Sequence, residues 1–92
     1  MTIKLGQTVI TAGVNALIDN GTLPAAKVHD LFTRQENCDW GECAAEDREL
    51  NDEGARTGED RCMGVHTVNG IKLWIITEQD RSATTVLLPE EY

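Results

Sequence analysis

A chain of 92 residues with 16 acidic side chains against 8 basic ones, and so a formal charge of −8, has material for one hydrophobic core and a surface that repels phosphate backbones. Direct nucleic-acid binding is disfavoured, whereas a protein partner with a basic surface suits this charge, which also serves plain solubility. No apolar run approaches the roughly 18 residues of a membrane span, and Met1-Thr2-Ile3-Lys4-Leu5 lacks the apolar core of a secretory signal, so a cytoplasmic protein without membrane contact is expected. Three cysteines, an odd number, fit a reducing compartment better than a disulfide framework.

Residues 3–10 carry Ile3, Leu5, Val9 and Ile10 around Gly6, too short a run for a helix, and read as a strand or extended arm. Thr11 is placed to cap a helix through Ala12, Val14, Leu17 and Ile18, with Asn20-Gly21 as its stop. Pro24 suits the first position of a second helix, in which Ala25, Val28, Leu31 and Phe32 fall at helical spacing; the two form an αα-hairpin. After the break at Cys38-Asp39-Trp40-Gly41-Glu42, Ala44 to about Ala55 reads as a third, very polar helix ending near Gly58.

The last third is β. Arg61 to Val68 and Ile71 to Thr77 flank Asn69-Gly70, the dipeptide best suited to a type I′ turn because both central residues need positive φ. A two-residue turn fixes the register, with Val68 opposite Ile71, His66 opposite Leu73 and Val65 opposite Trp74. A second turn at Asp80-Arg81-Ser82 leads to a third strand over Thr84 to Leu88, stopped by Pro89. Both hairpin faces are apolar: Val68, Ile71, Leu73 and Ile75 on one, Met63, Val65, Trp74 and Ile76 on the other. One must meet the helices; the other is covered by the N-terminal segment, a partner or a second copy, and a self-contact there would give a homodimer.

The whole chain, 1–92, is therefore expected to be one α+β domain, a helical N-terminal half packed on an antiparallel sheet of three or four strands. Its core should hold Leu17, Leu31, Phe32, Leu50, Trp74, Ile76 and Val86, with Trp40 at the edge.

Cys38, Cys43, Cys62 and His66 have the ligand count of a structural zinc site. Cys62 and His66, four positions apart on one strand, nevertheless lie about 13 Å from each other, too far for one tetrahedral ion. No metal or cofactor is expected, and no local pattern of a thiol enzyme surrounds any cysteine. Phosphate loops, HExxH, GxSxG and dinucleotide fingerprints are absent, so hydrolase, kinase and dehydrogenase readings lack a starting residue.

Ten of the 16 acidic residues fall between Glu36 and Asp60, where Arg48 and Arg56 are the only basic ones. Glu42, Glu46, Glu49 and Glu53 recur so that carboxylates repeat every 5 to 6 Å or so along one side of the third helix, close to the phosphate spacing of a nucleic-acid strand. With Asp52, Asp60 and the loop indole of Trp40, they are the candidate partner-binding residues. A solvated helix face explains the same pattern without a partner.

Asp39-Trp40-Gly41-Glu42 and the run Leu73-Trp74-Ile75-Ile76-Thr77-Glu78-Gln79-Asp80-Arg81-Ser82, continuing to Leu87-Leu88-Pro89-Glu90-Glu91-Tyr92, resemble a family of small bacterial proteins often encoded on plasmids and integrating elements. The resemblance runs from about Gly6 to Tyr92 and implies no known activity. Where that family has a Gly, an aliphatic and an aromatic residue, this chain has Cys38, Cys62 and His66. The association implies a role in transfer, maintenance or evasion of host defence. The function expected is thus non-enzymatic: an acidic nucleic-acid mimic that inhibits a host nucleic-acid-binding defence complex, in the manner of anti-CRISPR or anti-restriction proteins. The alternatives are a structural or interaction module, or a small RelE-like or barnase-like RNase using Arg81, Ser82 and Thr84 with His66 as base, which the net charge disfavours.

Overall fold

The computed structural model describes all 92 residues. In chain order the elements are β1 (Gln7–Ile10), α1 (Ala12–Asp19), α2 (Ala25–Glu36), α3 (Ala45–Thr57), β2 (Cys62–Val68), β3 (Ile71–Thr77) and β4 (Ala83–Leu87), followed by a 3-10 turn at Pro89–Glu91. The fold is α+β, with four strands in the order β1-β4-β3-β2. No helix is long and apolar enough to cross a membrane.

The β2–β3 hairpin forms in the register that its turn dictates. Val68 faces Ile71, His66 faces Leu73 and Val65 faces Trp74, while Asn69 and Gly70 take φ of 50° and 78° as a type I′ turn requires. One expectation needs correction: β1 runs parallel to β4, Gln7 beside Ala83 and Ile10 beside Val86, so the sheet is mixed. That direction lets α1 begin one residue after β1 and lie directly on the core.

The inward stripe of α2 is Val28, Leu31, Phe32 and Gln35, at i, i+3, i+4 and i+7. With Val14 and Leu23 the three apolar members press on Val68, Leu73, Ile75 and Val86 of the sheet. A second cluster of Ile3, Trp40, Cys43 and Cys62 lies beside it on the same face. The N-terminal arm therefore fills the helix side, held by Ile3 N–H to the Glu36 carbonyl at 3.0 Å, and does not cover the opposite face.

Three expected core residues sit elsewhere. Leu50 is 65% exposed, because α3 turns Asn51 and Gly54 inward. Trp74 is half-buried on the face away from the helices, edge-on to Tyr92 with centroids 5.5 Å apart. Arg61 donates to the Tyr92 hydroxyl and lies over its ring, so the C-terminal residues shield part of this face. Leu17 packs at the margin of the core, half-buried. Pro24 stands at the N-cap of α2, one place before its first turn.

Thr11 occupies the N-cap of α1 without a cap bond from its own side chain. Its hydroxyl donates instead to Glu91 Oε1 at 2.6 Å, and the Gly13 N–H donates to Glu91 Oε2 at 3.0 Å. A carboxylate from the far end of the sequence thus caps α1, where the helix dipole favours negative charge. These hydrogen bonds, with a third from Leu88 N–H, hold the Glu91 carboxyl below its ordinary range.

Gln35 is the polar member of the α2 stripe and is fully buried. Its Nε2 donates to the Cys62 carbonyl and to Thr77 Oγ1, each at 3.2 Å. Thr84 Oγ1 donates to the Leu5 carbonyl at 2.8 Å, so the Thr77–Thr84 contact, also 2.8 Å, must carry the Thr77 proton. The result is a one-directional chain of donors from α2 across β3 and β4 to the N-terminal arm. Gln35→Ala removes its first member and leaves a cavity, and should lower unfolding free energy by about 3 kcal/mol in urea titration. A loss under about 1 kcal/mol would show that the chain contributes little.

Candidate functional site: the Trp40 loop and the acidic helix

The α3 helix is fixed to the outer edge of β2 by polar rather than apolar contacts. Asn51 Oδ1 accepts the Met63 N–H at 3.0 Å and its Nδ2 donates to the Met63 carbonyl at 2.7 Å, so one carboxamide imitates the next strand. At its C-terminal end Gly58, in the left-handed region, donates to the Gly54 carbonyl. Arg81 NH2 donates to that same carbonyl at 2.8 Å, while its NH1 donates to the carbonyls of Asp60, Glu78 and Gln79.

With Asn51 and Gly54 inward, the helical repeat of 100° per residue sends Glu46, Glu49 and Glu53 outward, and all three are exposed. Arg56 pairs with Glu53 in the open. Glu42 lies outside α3, at the β2 edge, where its carboxylate accepts the Thr67 hydroxyl at 3.1 Å. Asp60 is exposed past the C-terminus of α3. The expected acidic row thus exists as Glu46, Glu49 and Glu53, with Glu42 and Asp60 at separate places.

Trp40 is a correction to the partner-contact set, while Asp52, its hydrogen-bond partner, stays exposed. Trp40 is 4% exposed, its indole N–H donating to Asp52 Oδ1 at 2.8 Å, so both side chains are engaged in holding the loop against α3. The loop backbone adds to the sheet: Val65 N–H donates to the Trp40 carbonyl and Glu42 N–H to the Val65 carbonyl, at 3.0 and 2.7 Å. Gly41, φ 70°, sits against the His66 ring, where a Cβ would fall 2.6 Å from Nδ1. Arg48 closes the turn from above, donating to the carbonyls of Cys43 and Gly41 at 3.0 Å. Beside it opens a polar recess of about 350 Å³, lined by Cys38, Asp39, Trp40, Gly41, Arg48 and Asp52.

All three cysteines join the cluster around Trp40, yet they do not converge as ligands. Cys43 Sγ donates to the Trp40 and Met63 carbonyls at 3.3 Å, and Cys62 Sγ to the Asn51 carbonyl at 3.6 Å. No group of three or more His, Cys, Asp or Glu side chains is arranged to hold a metal ion. Burial pushes the pKa of each thiol up, away from the nucleophilic thiolate.

His66 is 2% exposed on the helix side of β2. Its Nδ1 lies 3.2 Å from Arg34 NH1, which can only donate, so Nδ1 accepts and the ring proton sits on Nε2. Burial and then the Arg34 cation lower its pKa. The RNase residues consequently share no open surface: His66 and Thr84 are buried beneath the helices, and Arg81 is spent on carbonyls.

The sequence reading did not single out Arg34, Gln35 or Asn51. For Gln35 a signal existed, a polar residue on the apolar stripe of α2. Comparison with known protein families, curated proteins and solved structures finds no match to this chain.

Trp40 anchors the loop by burial and one polar bond, so Trp40→Ala should cost about 4 kcal/mol of stability and Asp52→Ala about 1 kcal/mol, measured by chemical denaturation. Equal, small effects from both would contradict the burial of the indole.

Proposed function

We propose that this chain is a non-enzymatic acidic binding protein whose α3 face occupies the basic surface of a nucleic-acid-binding protein. The observation that carries this reading is the fixing of α3 from behind. Asn51, Gly54 and the Arg81 guanidinium tie it to the sheet, so Glu46, Glu49 and Glu53 are displayed from a rigid support. A helix of 13 residues is marginal alone, so this anchorage both keeps α3 folded and fixes where its outward row stands. Successive members of the row stand three and four residues apart, about 4.5 and 6 Å along the axis, and a groove built for phosphates can accept that spacing. Preorganised charge of this kind favours association more than flexible charge, since less freedom is lost on binding.

The target we propose, on the resemblance to proteins of plasmids and integrating elements, is a host defence complex that holds DNA or RNA, inhibited by mimicry of its nucleic acid as anti-restriction and anti-CRISPR proteins do. The experiment is competition. The purified chain is added to a panel of restriction and CRISPR effector complexes with labelled nucleic acid bound, and displacement is followed by fluorescence anisotropy. Displacement by the wild-type chain should weaken tenfold or more between about 50 and 200 mM salt, and be lost in Glu46→Lys/Glu49→Lys/Glu53→Lys. Displacement that survives both changes would remove α3 from the interface, and no displacement from any complex would count against the mimic reading.

A further inference from the structure

We infer that the Arg34–His66 contact is an acid-sensitive latch: a proton taken up at His66 Nδ1 breaks the contact and loosens the Trp40 loop, residues 37–43, from the sheet. The geometry leaves the imidazole one way to hold its present contacts. Nδ1 receives an Arg34 N–H at 3.2 Å, so the incoming solvent proton would set two donors and two positive charges against each other. The ring has no room to turn away, because Gly41 packs on it from the loop and Leu73 stands opposite on β3.

The charged groups around His66 come from two elements. From α2 come Arg34, which opposes protonation, and Asp30, which favours it; from the loop come Asp39 and Glu42, which favour it. β3 supplies only Leu73, and Gln35 is neutral. An alternative partner is therefore at hand. Asp39 now forms an ion pair with Arg34 Nε at 3.2 Å and accepts the Gly41 N–H at 3.1 Å. An imidazolium would take this carboxylate and displace Arg34, whose half-exposed side chain can move to water. Asp39 and Gly41 belong to the loop, so exchanging their partners moves it.

Because the His66 pKa is depressed in the folded protein, the latched form is complete above the ordinary value of 6.5 and is lost as pH falls through the lower folded-state value. Glu42 rides on the same loop, so in the proposed function acid would weaken partner binding at that margin. That extension rests on the mimic reading, whereas the latch does not.

The test uses the free protein and needs no partner. His66 ring signals and the Trp40 indole N–H are followed by NMR from pH 7.5 downward, with Trp74→Phe assigning the two indoles. Trp40 should shift with the His66 midpoint, which should lie below the ordinary value of 6.5. Arg34→Gln, a change at a half-exposed position, should raise the His66 midpoint and carry the Trp40 transition up with it. His66→Gln should leave Trp40 without that transition. The latch is refuted if His66 takes its proton while the Trp40 signal stays fixed, or if Arg34→Gln leaves the midpoint where it was.

Discussion

A carboxamide with no exposure to solvent sits where α2 crosses the sheet, and the placing of the remaining elements follows from what it must bond. The Gln35 NH2 cannot be left unpaired at that depth without a penalty of a few kcal/mol, and it is this half of the carboxamide, not Oε1, that is bonded. Its donors reach the Cys62 carbonyl of β2 and the Thr77 hydroxyl of β3 together, which fixes the rotation of α2 about its axis as apolar contacts alone would not. The apolar stripe of Val28, Leu31 and Phe32 supplies the driving force, and Gln35 supplies the register. Through Thr77 and Thr84 the same register reaches Leu5, so the N-terminal arm is placed by a hydrogen bond that begins 30 residues later in sequence, at Gln35.

The other half of the helix side is organised by backbone mimicry. Asn51 copies a strand for Met63, and residues 40–42 do the same for Val65, so the β2 edge that would otherwise invite another strand is occupied. The chemistry-bearing residue types gather at this edge and are consumed by it: thiols on carbonyls, the indole on Asp52, Arg48 and Arg81 on carbonyls. Glu46 and Glu49 stay outward on α3 beside Glu53, which is paired with Arg56.

How much of this could be read beforehand depended on how local the determining physics was. The hairpin at Asn69-Gly70 was legible to the residue, since turn type, register and face assignment are set within a dozen positions. The boundaries of α3 were nearly so, through Gly58. The direction of β1 was not, because its partner lies more than 70 residues away and nothing in Gln7–Ile10 records it. Leu50 misled because hydrophobicity stood in for orientation, when the side of α3 that faces the sheet is set by Asn51 and Gly54. Among the site residues, the spacing of Glu46, Glu49 and Glu53 was readable. The engagement of Trp40 with Asp52 was not, since it joins a loop to a helix across a turn whose shape depends on the tertiary fit of Gly41 to His66.

The parallel pairing of β1 with β4, sealed by Glu91 on the first turn of α1, sets an order on assembly. Local contacts can form α1, α2 and the β2–β3 hairpin early, but β1 has no strand to join until β4 exists, and closing that loop carries the largest entropic cost in the fold. On the ribosome β1 would therefore emerge well before it can find its place. Until β4 emerges, Val9, Ile10 and the apolar side of α1 stay open to other chains, so this small domain is most exposed to aggregation in the interval between the making of β1 and that of β4.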